Sequence, residues 1–135
     1  MDDEEYVREV FRRADEGSPE AIYEKGALFD LGEFVEENKE YASELFKIAA
    51  DKGHAHSMWI HACELLWGLG SYPQSIEEGL RYLEMAIENK SGEACITKAG
   101  LYRKQEFGFT SNEAEVNKLR AMAKEFDETL FDPYA

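Results

Sequence analysis

A four-residue phrase returns along this chain with a fixed period. Ala14-Asp15-Glu16-Gly17 recurs as Ala50-Asp51-Lys52-Gly53, 36 residues on. Around that phrase, residues of like size fall into columns. Ala21, Ser57 and Ala94 form one, Gly26, Ala62 and Ala99 a second, and Phe29, Leu65 and Tyr102 a third. Further along each unit the columns are Ala42, Gly79 and Val116, then Leu45, Tyr82 and Leu119, then Ala49, Ala86 and Ala123, each spaced by 37 residues. Small residues at fixed places let two helices approach closely, and a large apolar neighbour fills the gap between pairs. A helix–turn–helix unit of this length cannot bury its apolar face alone, whereas stacked units can.

The punctuation agrees with helices. The three prolines, Pro19, Pro73 and Pro133, all fall at element edges. Ser18-Pro19 reads as an N-cap followed by a first-turn proline. Ser75 through Glu78 fits a capping box, and Thr110 through Glu113 offers a similar start. Gly17, Gly32, Gly53, Gly68 and Gly70 stand where helices stop. The pattern predicts seven helices, near 4–15, 19–31, 39–51, 55–67, 76–89, 93–106 and 112–128. The expected fold class is all-α: an α-solenoid of about three antiparallel helix pairs plus an N-terminal helix. We read it as one domain over 1–135, with units about 18–53, 54–92 and 93–128 and a capping helix at 4–15.

These columns resemble the Sel-one-like repeat (SLR) family of tetratricopeptide-like solenoids. Unit one carries Ala21, Gly26, Phe29, Gly32, then Ala42, Leu45, Ala49, Ala50 and Gly53. Unit two carries Ser57, Ala62, Leu65, Gly68, Gly79, Tyr82 and Ala86, and unit three Ala94, Ala99, Tyr102, Val116, Leu119 and Ala123. The chain departs from the pattern where Lys25, His61 and Lys98 replace a leucine and where Gln105 replaces a glycine. The resemblance implies a non-enzymatic, right-handed superhelix that binds other proteins on its concave face.

Charge narrows the choice of partner. The chain holds 29 Asp and Glu against 15 Lys and Arg, a net charge of -14. Residues 1–51 carry 16 acids and 6 bases, so -10 of that excess lies in the first two-fifths. Such a field repels phosphate backbones and anionic membranes, so neither nucleic acid nor a membrane is an expected partner. It attracts a basic protein. An apolar fraction of 44% is too high for a disordered acidic segment. The start, Met1-Asp2-Asp3-Glu4-Glu5, lacks a basic leader, and no run is long and apolar enough to span a bilayer. Cys63 and Cys95 form no Cys-x-x-Cys pair and read as reduced, buried thiols, so the expected compartment is the cytoplasm.

Catalytic signatures are missing from the pattern. His54, His56 and His61 sit two and five apart, poor spacings for a shared ligand on one helical face. His61 is expected to be a partly buried, hydrogen-bonded side chain. Gly68-Leu69-Gly70-Ser71 follows a helix and has no Gly-Lys-Ser/Thr, so it reads as a connecting loop rather than a phosphate cradle. Adjacent acids such as Glu36-Glu37 read as solvated. No cofactor, metal or catalytic residue is expected.

The informative segment is Ala55 to Trp67, which is apolar almost all round. Met58, Ala62 and Leu65 belong to the core columns. Trp59, Cys63, Leu66 and Trp67 recur at i, i+4, i+7 and i+8, and in solenoids of this type that side lines the groove. The matching positions are Glu20, Tyr23, Ala27, Asp30 and Leu31 in unit one, and Glu93, Ile96, Gly100, Arg103 and Lys104 in unit three. The expected partner surface is Glu20, Tyr23, Glu24, Asp30, Glu33, Glu36, Glu37 and Glu40 with Trp59, Leu66 and Trp67 as anchors. The competing expectation is that the terminal helix or the Phe131–Tyr134 tail folds back and buries both tryptophans. Small size and acidity favour an immunity-type inhibitor of a basic toxin or enzyme domain; the alternative is a scaffold or adaptor solenoid, and an enzyme is a distant third.

Overall fold

The computed structural model describes residues 1–135 and consists of seven α-helices with no strand. They are α1 (Asp3–Asp15), α2 (Pro19–Leu31), α3 (Lys39–Asp51), α4 (Ala55–Trp67), α5 (Ile76–Glu88), α6 (Gly92–Lys104) and α7 (Glu113–Phe126). The expected helices coincide with these to within two residues. The larger differences lie at the ends of α6 and α7, each two residues shorter than expected.

Each helix begins on a side chain that accepts a hydrogen bond from a first-turn amide. The caps are Asp2, Ser18, Asn38, His54, Ser75, Ser91 and Asn112. His54 is the unusual member, accepting from the Ser57 amide through Nδ1 at 3.2 Å. The capping box at Ser75 is half made. Ser75 accepts from the Glu78 amide at 3.2 Å, but the Glu78 carboxylate turns away to Arg81 at 2.8 Å. α6 ends on Gln105, where the pattern asks for glycine, and Gln105 takes the left-handed conformation with φ 54°. That geometry costs a residue with a side chain about 1 kcal/mol.

The helices pack as α2 on α3, α4 on α5 and α6 on α7, with α1 against α2. The repeat columns are what meets inside these pairs. Ala21, Ser57 and Ala94 are fully buried, as are Ala42, Ala49, Ala62, Ala86 and Ala99. Leu45, Tyr82 and Leu119 fill the space between them. At Gly26 an added Cβ would lie 2.8 Å from Phe46 Cε1, so the missing side chain sets the α2–α3 distance. At Gly79 it would lie 2.7 Å from Leu66 Cγ, which fixes the α4–α5 distance in the same way. Pairs are tied to one another by polar contacts. Tyr82 on α5 donates to Asp51 on α3 at 2.6 Å, and Ser43 on α3 donates to Glu64 on α4 at 2.8 Å.

The three positions that depart from the leucine column each find a new role. The Lys25 ammonium lies 4.9 Å from the Phe11 ring centre and 5.5 Å from that of Tyr41, which brackets α2 between α1 and α3. His61 is buried, edge-on to Tyr72 and Tyr82 at 5.3 and 4.6 Å. Lys98 pairs with Glu84 across α5 and α6. His61 differs from expectation in two respects: it is fully rather than partly buried, and its Nδ1 has no hydrogen-bond partner. Burial holds it neutral, with its pKa lowered to about 4 and the Lys47 charge acting in the same direction.

Candidate functional site

The first helices of the three pairs, α2, α4 and α6, contribute a row of side chains linked from helix to helix. Tyr23 stacks on His54 at 4.9 Å and meets His56 edge-on at 5.2 Å. His56 leans on Trp59 at 5.4 Å. Trp59 donates its indole N–H to Thr97 of α6 at 2.8 Å, and His56 contacts the Glu93 carboxylate at 3.0 Å. The row therefore crosses all three pairs. Trp59 is half-buried because the neighbouring helix covers one side of it.

Carboxylates rim this row. Glu20 is exposed and Glu24 is held by Arg13 at 3.1 Å. Their presence is felt by the aromatic groups. Burial raises the Tyr23 pKa, with further increments from Glu24 and Glu93. Burial lowers the pKa of His54, and the neighbouring His56 lowers it further, against the opposing pull of Glu20 and Glu24. His54 is thus neutral at pH 7, as its acceptor role at the helix start requires.

The remaining expected partner-surface residues are dispersed. Asp30 and Glu40 line a polar hollow between the first two pairs, with Lys39, Ser43 and Glu64. Lys39 already bonds the Asp30 carbonyl at 2.9 Å and its carboxylate at 3.4 Å. Glu33, Glu36 and Glu37 are exposed on the α2–α3 loop, away from the aromatic row. Glu64 is held above the ordinary carboxylate range by burial, despite its hydrogen bond from Ser43.

Leu66 requires a correction. It is fully buried and packs onto Gly79, so it is a core residue and no anchor for a partner. On a helix it points only about 20° from Trp59, but toward the Ala62 side. The absent side chain at Gly79 opens the space that takes it in. Trp67, at the C-terminal end of α4, stays 37% exposed. It packs on Phe107 at 5.5 Å, and its N–H donates to Glu106 at 3.3 Å.

The segment after α7 does fold back, though not over the tryptophans as a unit. Leu130 lies against Gly92, and the Tyr134 hydroxyl sits over Gly100. Only Tyr134 approaches Trp67, across a cavity of about 190 Å³ that also touches Cys63. Sequence reasoning missed this covering of α6. The signal available was the pair of glycines on that helix, Gly92 and Gly100.

Neither cysteine is poised for chemistry. Burial pushes the Cys63 thiol up to about 12, with Glu64 adding to it, and pushes Cys95 up to about 11. They are not bonded to each other. No helix is long and apolar enough to cross a membrane.

The architecture is that of Sel1-repeat solenoids. The chain superposes on a Sel1 repeat protein from Oxalobacter formigenes with a TM-score of 0.82 at 23% identity, over 92% of this chain and 50% of that one. It superposes on c5321, a protective antigen of uropathogenic Escherichia coli strains displaying an SLR fold, with a TM-score of 0.75 at 20% identity. That match covers 88% of this chain and 25% of the antigen. The chain thus spans half the length, or less, of these solved structures. No family model matches the sequence, and no curated protein matches it.

Proposed function

We propose that this chain is a protein-binding repeat module whose α2–α4–α6 face captures a basic partner, and that it acts as an immunity-type inhibitor of a basic toxin or enzyme domain. The observation that carries the reading is the Tyr23–His56–Trp59 row with Glu20, Glu24 and Glu93 around it. Half-buried aromatic rings ringed by polar groups are what interface hot spots use. Carboxylates beside aromatic faces suit the guanidinium and ammonium groups of a basic partner. The charge distribution supports the same orientation, because -10 of the -14 lies in residues 1–51, at the Tyr23 end of the row. Binding fits these side chains better than catalysis does. The thiols are protonated, and His61 is neutral and sealed. A cytoplasmic site of action belongs to the same proposal, since both thiols are free.

The test is affinity capture from cells of the source organism followed by mass spectrometry. Association kinetics of the captured protein are then measured in low and high salt, with the native chain and a Glu20→Lys/Glu24→Lys variant. Electrostatic capture predicts a basic partner and an association rate that falls about tenfold or more in high salt and in the variant. A neutral or acidic partner whose association rate ignores both changes would overturn the inhibitor reading. That is the outcome an assembly adaptor would give.

A further inference from the structure

Residues 127–135 leave α7 through an Asx turn, in which Asp127 accepts from the Thr129 amide at 3.0 Å and from its hydroxyl at 2.6 Å. Beyond the turn the burial pattern alternates. Leu130, Asp132 and Tyr134 are half-buried, while Phe131, Pro133 and Ala135 are exposed, Phe131 to 81%. The alternation is built by two turns: the Leu130 amide donates to the Asp127 carbonyl at 3.1 Å, and at 132–135 the Ala135 amide donates to the Asp132 carbonyl at 3.3 Å and the Tyr134 amide to the Asp132 carboxylate at 2.8 Å.

Each inward side chain has its own receptor. Leu130 Cδ2 approaches Gly92 so closely that a Cβ there would lie 3.0 Å away. Asp132 accepts from Arg120 Nε at 2.8 Å. The Tyr134 ring lies under the Arg103 guanidinium, 5.0 Å from its centre, with the hydroxyl where a Cβ on Gly100 would come within 2.6 Å. A bare backbone, a cation and a second bare backbone thus read an apolar residue, an acid and an aromatic at alternate positions.

We propose that this α6–α7 surface is a recognition site for a peptide with the pattern apolar-x-acid-x-aromatic that turns at its acid, and that the chain's own residues 130–134 are its resident, displaceable occupant. A partner carrying that pattern replaces the resident segment. Arg120 supplies the cation that meets the segment's acid, while Arg103 is paired with Glu113 at 3.1 Å and offers its face to the aromatic ring, unlike the carboxylate-rimmed row on α2 and α4. The proposal stands on the segment's own contacts and survives if the basic-partner reading fails. A tethered occupant competes at an effective concentration in the millimolar range, so an external peptide of modest affinity is held off by about tenfold or more.

The probe is a fluorescently labelled peptide of residues 127–135, titrated by anisotropy into the full chain. Three forms are compared: native, Asp132→Ala/Tyr134→Ala, and that double variant with Arg120→Glu added. The double variant is expected to bind the peptide at least tenfold more tightly than the native chain, with unchanged helical circular dichroism. Adding Arg120→Glu should abolish that binding. Equal binding to native and double-variant chains, or none to either, overturns the proposal. So does loss of helicity in the double variant, because the segment would then be an integral cap and not a displaceable occupant.

Discussion

Lowering the pH should cost this protein stability through one imidazole. His61 is 1% exposed, lies edge-on to Tyr72 and Tyr82, and has its pKa lowered from 6.5 to about 4. Its folded-state pKa is therefore depressed below the unfolded value. The unfolded chain binds the proton first, so stability is intact above pH 6.5 and drains away as pH falls toward 4. A difference of about 2.5 units corresponds to about 3 kcal/mol when the drain is complete, and to about 2 kcal/mol by pH 5. The charges facing the ring are Lys47, Asp51, Glu78 and Arg81, and they also titrate or pair. Asp51 in particular is raised by burial but brought net below its usual range by Lys47 and Tyr82, so it too loses stability in acid. The assay must therefore be differential. Urea unfolding of the native chain and of His61→Leu, which restores the column residue, is measured at pH 7, 6, 5 and 4.5. Any constant offset between the two proteins reflects packing and is disregarded. The pH-dependent gap should favour His61→Leu by about 2 kcal/mol more at pH 5 than at pH 7, or roughly 8 °C in Tm. A gap that stays flat across this range would refute the claim that the ring is sealed and neutral.

Other expectations follow from packing. Gly79→Ala places a Cβ 2.7 Å from Leu66 Cγ and 3.1 Å from its backbone nitrogen. With Leu66 unable to retreat from its own backbone, overpacking of about 2–3 kcal/mol outweighs the helix-propensity gain of about 1 kcal/mol, so urea unfolding should show a net loss of about 1–2 kcal/mol. Trp59→Ala removes a ring locked to Thr97 and should cost about 3 kcal/mol by thermal unfolding, whereas Trp67→Ala, at 37% exposure, should cost about half as much. Equal losses would show that the two rings are equally covered. With thiols pushed up to about 12 and 11, iodoacetamide at pH 7.5 should leave Cys63 and Cys95 unmodified until the chain is unfolded, as mass spectrometry would show.

The helices, their pairing and the columns that pack within each pair are legible in the amino-acid sequence. Those follow from short-range rules: caps bond amides a few residues on, and small residues at a fixed period force a fixed approach between neighbouring helices. Ala62, Ala86 and Ala123 are buried because any solenoid of this period must bury them. Glu20, Tyr23 and Trp59 could be placed on one face by the same periodicity. Three-dimensional packing sets which face Leu66 joins, because that depends on a missing side chain at Gly79, one helix away. It also decided that Glu33, Glu36 and Glu37 stand apart from the aromatic row, since a loop's path is not periodic. Finally it decided the course of residues 127–135. No repeat governs that segment. It lies where it does because Gly92, Gly100, Arg103 and Arg120 meet its alternate side chains across the fold, a match between distant positions that no local rule encodes.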